Sequence, residues 1–170
     1  MESEEKFTKE EPMIELVQTM DPEIIARLVQ IETEAFGVGG LTVWNLEPLI
    51  RHGRVYVYRL GNEIVGLVHY MLDWDHPQKA YMVGVSISEN SRGQGIGAKL
   101  LIESFEALSK EAIEEVELTV DPNNLAAVTL YESKLGFLVT DFKHNEYGEG
   151  EGRLVMKLSL ANFLNKDVPK

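Results

Sequence analysis

Three glycines alternate in Gly93-Gln94-Gly95-Ile96-Gly97-Ala98, directly after Arg92 and directly before a run with helical periodicity. Glycine adopts positive φ without a Cβ clash, so such a stretch turns sharply and can aim successive N–H groups at one anion. The apolar residues Ile96, Leu100, Leu101, Phe105, Leu108 and Ala112 predict a helix. Its unpaired N-terminal N–H groups and positive dipole end lie beside the glycines. Before the turn, Tyr81, Val83, Val85 and Ile87 alternate with small or polar neighbours, as a half-buried strand requires. A strand, a glycine turn and a helix start in one run read as a cradle for a pyrophosphate.

The same glycines fit the dinucleotide-binding pattern, which places this turn after the first strand and builds a second half in the same way. This chain supplies no such half, and no Gly-Lys-Ser or Gly-Lys-Thr follows the glycines, which excludes a Walker loop. A nicotinamide-dependent oxidoreductase therefore stands as a minor alternative. A turn that only packs a helix on a strand is another.

The run Arg92-Gly93-Gln94-Gly95-Ile96-Gly97-Ala98 resembles the acetyl-coenzyme A signature of the GNAT N-acetyltransferase family, and a second segment agrees with it. Asn124-Leu125-Ala126-Ala127-Val128-Thr129-Leu130-Tyr131-Glu132-Ser133-Lys134-Leu135-Gly136-Phe137 resembles the later helix of that family, with asparagine, alanine, leucine-tyrosine and glycine-phenylalanine at matching intervals. The resemblance implies acetyl transfer from acetyl-coenzyme A to a primary amine, directly within a ternary complex. It places the cosubstrate along Val85, Ser86 and Ile87, its pyrophosphate on Gly93, Gln94, Gly95, Ile96, Gly97 and Ala98 beside Arg92, and its pantetheine arm near Asn124. Lys99 and Lys134 are further cations for its phosphates. Tyr131 corresponds to the residue that protonates the departing thiolate. Ala127, Tyr131 and Leu135 also share one helix face, so a purely apolar role for Tyr131 stands beside the catalytic one.

The general base is not written in one place. Relatives that acetylate protein N-termini can carry a glutamate five positions before the asparagine, where this chain has Thr119. Glu117 on the same strand face and Glu34 before a glycine loop are the candidates, with Glu32, His69, Asp73, His144 and Glu146 behind them. The resemblance also implies that Trp44 and Tyr147 line the acceptor site. A non-catalytic acyl-coenzyme A binding module would keep the glycine cradle without needing Tyr131.

The formal net charge of -12 argues against general nucleic-acid affinity and favours cationic partners such as amines. With no cysteine, disulfides, thiolate metal sites and a cysteine nucleophile are excluded. Asp73-Trp74-Asp75-His76 does not specify a closed metal site, and no metal is expected. No apolar run is long enough to span a bilayer and the N-terminus lacks the layout of a signal peptide, so a cytoplasmic protein without membrane contact is expected. A homodimer is compatible with the sequence.

The elements that must hold these residues follow from periodicity and punctuation. Residues 1–12 read as a flexible charged arm, 13–160 as one domain and 161–170 as a loose tail. Within the domain, Met13 to Val17 alternates as a strand, and Asp21-Pro22 starts a helix reaching about Phe36. After Gly37-Val38-Gly39-Gly40, Thr42 caps a second helix. Arg54 to Leu60 and Glu63 to Leu72 form a hairpin around Gly61-Asn62. The signature strand and its helix come next, then a strand at Val116 to Val120. The Asn124 helix and two strands near residues 137–145 and 153–160 complete the order. The expected fold is α/β (α+β), with a mixed, mostly antiparallel sheet of about seven strands and helices on both faces.

Overall fold

A computed structural model of the chain describes residues 13–166. The arm expected over residues 1–12 lies outside the described residues, as does the end of the expected tail, 167–170. A seven-stranded sheet runs in the order β1-β2-β3-β4-β5-β7-β6. Its strands are β1 (Met13–Leu16), β2 (Arg54–Leu60), β3 (Glu63–Leu72), β4 (Lys79–Ile87), β5 (Glu115–Val120), β6 (Leu138–Lys143) and β7 (Arg153–Ser159). All neighbouring pairs are antiparallel except β4 and β5. A parallel pair needs a crossover, and α3 (Ile96–Lys110) supplies it.

Local chemistry sets the helix starts. The Asp21 carboxylate accepts the N–H groups of Glu23 and Ile24 at 2.9 and 3.1 Å and starts α1 (Pro22–Phe36). Thr42 opens α2 (Val43–His52), its N–H and hydroxyl both donating to Asn45 Oδ1. The hairpin between β2 and β3 turns at Gly61, with φ +57°. Asn124 Oδ1 accepts the Ala127 N–H at 3.2 Å and caps α4 (Leu125–Thr129), which runs on into a π-helical turn over Leu130–Leu135.

Helices cover both faces of the sheet. Leu28 and Ile31 of α1 and Leu46 of α2 close over Val55, Val57 and Leu67, all with no exposure. On the opposite face Leu100, Leu101 and Phe105 of α3 meet Val116, Phe137 and Met156. Leu101 is fully buried, so Leu101→Ala is expected to cost about 2–5 kcal/mol through lost transfer energy and a cavity. Urea unfolding with a lower midpoint and an unchanged slope checks this.

Two features depart from the sequence expectation. The tail expected from residue 161 is not loose at its start, because α5 occupies Leu160–Leu164. Leu160 is buried, and Phe163 stands edge-on to Phe105 with ring centroids 5.5 Å apart. One turn of helix is too short to show a period, so only the tertiary contact reveals it.

The second departure is in β4. His69 pairs with Gly84 and Tyr70 with Met82, which leaves Val83 as an extra residue in a β-bulge. Val83 lines a groove on the α2 side, and Gly84 sits over the His69 ring on that same side. Val85 and Ile87 then pack into the α3-side core. The apparently continuous alternation of Tyr81, Val83, Val85 and Ile87 thus splits between two faces.

Candidate active site

The site begins where the sheet fails to close. Strands β4 and β5 pair only over Lys79–Tyr81 with Glu115–Glu117, although β4 continues to Ile87 and β5 to Val120. Beyond Tyr81 the β5-facing backbone groups of β4 have no ladder partner there. Unpaired strand backbone is a set of donors and acceptors for an extended guest.

At the far end of β4 lies the glycine turn. Gly93 and Gly95 both have φ +76°, and Gly95 is the residue before the first turn of α3. A Cβ at either position would meet no atom within 4 Å, so the space in front of the helix N-terminus is open. Gly97 lies against Ile87, at 3.8 Å from its Cγ1. Arg92 Nε donates to the Ile87 carbonyl at 3.1 Å and ties the turn to the end of β4. Ile96 is buried and anchors the helix start, while Gln94 is exposed. The residues expected to hold a pyrophosphate are therefore contiguous with those expected to hold an extended chain.

Tyr131 lies in the π-helical turn, a local widening often found at functional sites. Its ring is 7% exposed and packs against Phe137 at 5.7 Å between centroids. Burial pushes its phenol up to about 12. Among the described residues His69 Nδ1 is the one fully buried side-chain polar atom without a partner. The Tyr131 hydroxyl is not sealed in this way, and burial alone shifts it, with no hydrogen-bond partner contributing.

On the face opposite α3, a polar pocket of about 480 Å³ gathers Tyr81, Glu117, Thr119, Tyr147 and Lys157. The hydroxyls of Tyr81 and Thr119 hydrogen-bond at 3.0 Å across the point where the strands part. Burial is the main reason the Tyr81 phenol lies above its usual range. Glu117 Oε2 sits between Lys79 Nζ at 3.3 Å and Lys157 Nζ at 3.5 Å. Tyr147 is exposed at the pocket rim, with the Arg153 guanidinium 4.9 Å from its ring centroid. Glu34 is elsewhere: its carboxylate accepts the Glu89 N–H at 3.0 Å and the Gln30 amide at 3.1 Å. The Glu89 bond is the main cause that holds it below the usual carboxylate range, which makes it a weak base.

An apolar groove of about 690 Å³ adjoins the same region between α2, the end of β3 and the loop before β4. Leu41, Leu49, Met71 and Val83 line it, and Trp44 and Trp74 stand at it with 89% and 95% exposure. Asp73, floated as a base or ligand, is used locally. Its Oδ1 accepts the N–H groups of Asp75 and His76, and its Oδ2 pairs with Lys79 at 3.0 Å. The Lys79 bond does most to hold Asp73 down at about 2. Among the described residues no three His, Asp or Glu side chains gather to hold a metal, and no helix is long and apolar enough to cross a membrane.

Sequence reasoning missed Tyr81 and Lys79 as members of this site. The alternation Lys79, Tyr81 and Glu117, Thr119 puts each pair on one face, but only the parallel register sets the pairs side by side.

The model of the acetyltransferase (GNAT) family matches residues 22–137. The chain belongs to that family. It is 31% identical over 116 residues to an N-alpha-acetyltransferase of Sulfurisphaera tokodaii, covering 62% of this chain and 68% of that one. The fold is similar to the crystal structure of the ribosomal-protein-S18-alanine N-acetyltransferase from Escherichia coli, with a TM-score of 0.73 and 19% identity over 88% of this chain and 94% of that one. A GNAT family acetyltransferase from Elizabethkingia anophelis with acetyl-coenzyme A bound gives a TM-score of 0.67 and 18% identity over 89% and 99%. This GNAT protein is an acetyltransferase, and its reaction moves an acetyl group to an amine. The nicotinamide alternative ends here, since a dinucleotide fold is built on a mostly parallel sheet and this one has a single parallel pair.

Proposed function

We propose that the chain transfers acetyl from acetyl-coenzyme A directly to the α-amine of polypeptide N-termini. The observation that carries this reading is the parting of β4 and β5 after Tyr81 and Glu117, with the glycine turn at one end and acceptor-sized hollows at the other. Pantetheine is an extended chain of amides, which suits the unpaired edge of β4, and its pyrophosphate suits the open N-terminus of α3. The free β4 N–H groups are fixed dipoles, able to stabilise the oxyanion that forms when the amine attacks the thioester. Tyr131 supplies a proton to the leaving thiolate. The amine must lose one, and the polar pocket offers hydroxyls at Tyr81 and Thr119 and a carboxylate at Glu117 beside the route to solvent.

The acceptor class rests on the groove. A small diamine needs only a polar pocket, whereas a polypeptide also presents side chains, and the apolar groove beside Trp44 and Trp74 suits these. The name of the Sulfurisphaera relative points the same way. Thiol release from acetyl-coenzyme A tests the reading, and a chain without cysteine adds no thiol background. Release should depend on peptides with a free α-amine and stop when that amine is blocked. Release with lysine side chains or free diamines, and none with α-amines, would overturn the acceptor assignment.

A further inference from the structure

A buried polar centre lies beneath the cleft: it joins Glu32 and His69, expected as possible bases but enclosed away from any amine, to Ser86 of the cosubstrate strand. Glu32, His69 and Ser86 are 1%, 2% and 4% exposed and come from α1, β3 and β4. Glu32 Oε1 accepts from the Ser86 hydroxyl at 2.7 Å and from His69 Nε2 at 3.0 Å. Glu32 Oε2 accepts the Leu41 N–H at 3.1 Å. Burial pushes this carboxyl up, but the bonds from His69, Ser86 and Leu41 outweigh it and hold the group ionised. This is no nucleophile triad, because serine and histidine both donate to the carboxylate and neither activates the other.

The span of these bonds is what matters. Ser86 lies on the part of β4 that has no β5 partner, and His69 pairs with Gly84 at the bulge in that same strand. Leu41 follows the glycine loop, precedes the Thr42 cap of α2, and lines the apolar groove. Gly84 accommodates the bridge, since a Cβ there would meet the His69 ring at 2.9 Å. The Gly40 Cβ position is likewise blocked, by the Glu32 carbonyl at 2.6 Å. One carboxylate therefore holds the cosubstrate strand and the acceptor wall in a single buried cluster. Charge-assisted bonds in a dry interior are short and directional, so the two sides cannot shift independently while the cluster is intact.

We infer that Glu32 is a positioning residue that couples the coenzyme A strand to the acceptor groove, so that occupancy of one orders the other. The inference rests on the cleft assignment above, and its test separates the two. Glu32→Gln keeps the shape but puts an amide NH₂ against either Leu41 N–H or the His69 and Ser86 donors, so one side of the bridge opens. The acceptor KM should rise about tenfold while kcat and the coenzyme A Kd stay within about twofold. A lost Coulomb partner that merely loosened the fold would move all three together, and that result overturns the inference.

Amide hydrogen exchange at Leu41 reads the bridge without turnover. Coenzyme A alone should slow Leu41 exchange in the native protein by several-fold and leave it unchanged in Glu32→Gln. Equal slowing in both proteins, or none in either while coenzyme A binds, overturns the coupling. Failure of coenzyme A to bind at all overturns the cleft assignment, and the coupling with it. Should Glu32→Gln fold poorly, Ser86→Ala removes only the bond to β4 and is expected to uncouple Leu41 exchange from coenzyme A in the same way.

Discussion

Tyr131→Phe is expected to lower kcat by about 10²–10⁴-fold, the range typical of a positioned general acid, while the coenzyme A Kd stays unchanged. At about 1.4 kcal/mol per factor of ten, this is a loss of roughly 3–5 kcal/mol of transition-state stabilisation. Nothing in the fold should suffer. The ring is buried against Phe137, and phenylalanine keeps that contact while deleting a hydroxyl that no protein group holds. The thermal midpoint of the variant should match or slightly exceed the native one, because removing an unpaired polar atom from a mostly buried site costs nothing.

The proton transfer itself constrains when the phenol acts. Burial sets its acidity at about 12, above the free thiol by some three to four units. Handing the proton to a water-exposed thiolate would run uphill by about 5 kcal/mol, so the transfer requires a sulfur shielded from water, where desolvation raises the thiol as it raises the phenol. The pH dependence follows. A phenol whose folded value is raised keeps its proton, and the associated stability, below the ordinary 10.0, and loses both only as pH rises through about 12. The kcat profile should therefore show no basic limb from Tyr131 below about pH 11. A Tyr131→Phe variant with kcat within threefold of native would make Tyr131 a core residue and assign thiolate protonation to solvent. With acetyl-coenzyme A still bound and no turnover in the native protein either, the chain would be an acyl-coenzyme A binding module.

Why some of this was legible in the sequence and some not comes down to the range of the interactions involved. The glycine turn, the Asp21 cap and the hairpin at Gly61 are local, set by φ freedom and by side chains within three residues, and the structure places them where the sequence reading does; of Asn123 and Asn124, either of which could cap the next helix, the structure uses Asn124. The strand spans came from period-two alternation, which is also local. The β4 bulge was hidden because an extra residue leaves the sequence alternation looking unbroken while it inverts the faces beyond Val83. The Tyr81–Thr119 contact and the Glu32 cluster join residues 38 and 54 positions apart at the outer pairs, and both depend on strand order. Glu32 and His69 carry no local mark that separates a buried bridge from an exposed acid or a free imidazole. Their spacing to Ser86 acquires meaning only after β3 and β4 are paired.

The glycine turn supports the second large effect. Gly95→Val is expected to raise the coenzyme A Kd by about 10²-fold or more, measured by calorimetry. Two consequences of the side chain act together. At φ +76° an L-residue crowds its own carbonyl, at a cost of roughly 1–2 kcal/mol, more for a branched one. The new Cβ also projects into the space that is empty in front of α3, where a pyrophosphate would meet the helix N–H groups. Losing two charge-assisted bonds at about 1.5–3 kcal/mol each is enough for the expected shift. Gly95→Asn separates the causes, because asparagine tolerates the left-handed region far better than valine does. If strain on the turn is responsible, Gly95→Asn should restore both the thermal midpoint and coenzyme A binding. If occupied phosphate space is responsible, as the open surroundings of Gly95 indicate, it should restore the midpoint and leave binding at least about thirtyfold weak. Native-like affinity in Gly95→Asn would mean that the pyrophosphate does not approach the backbone at this residue, and the cradle would have to be moved along the turn toward Gly97.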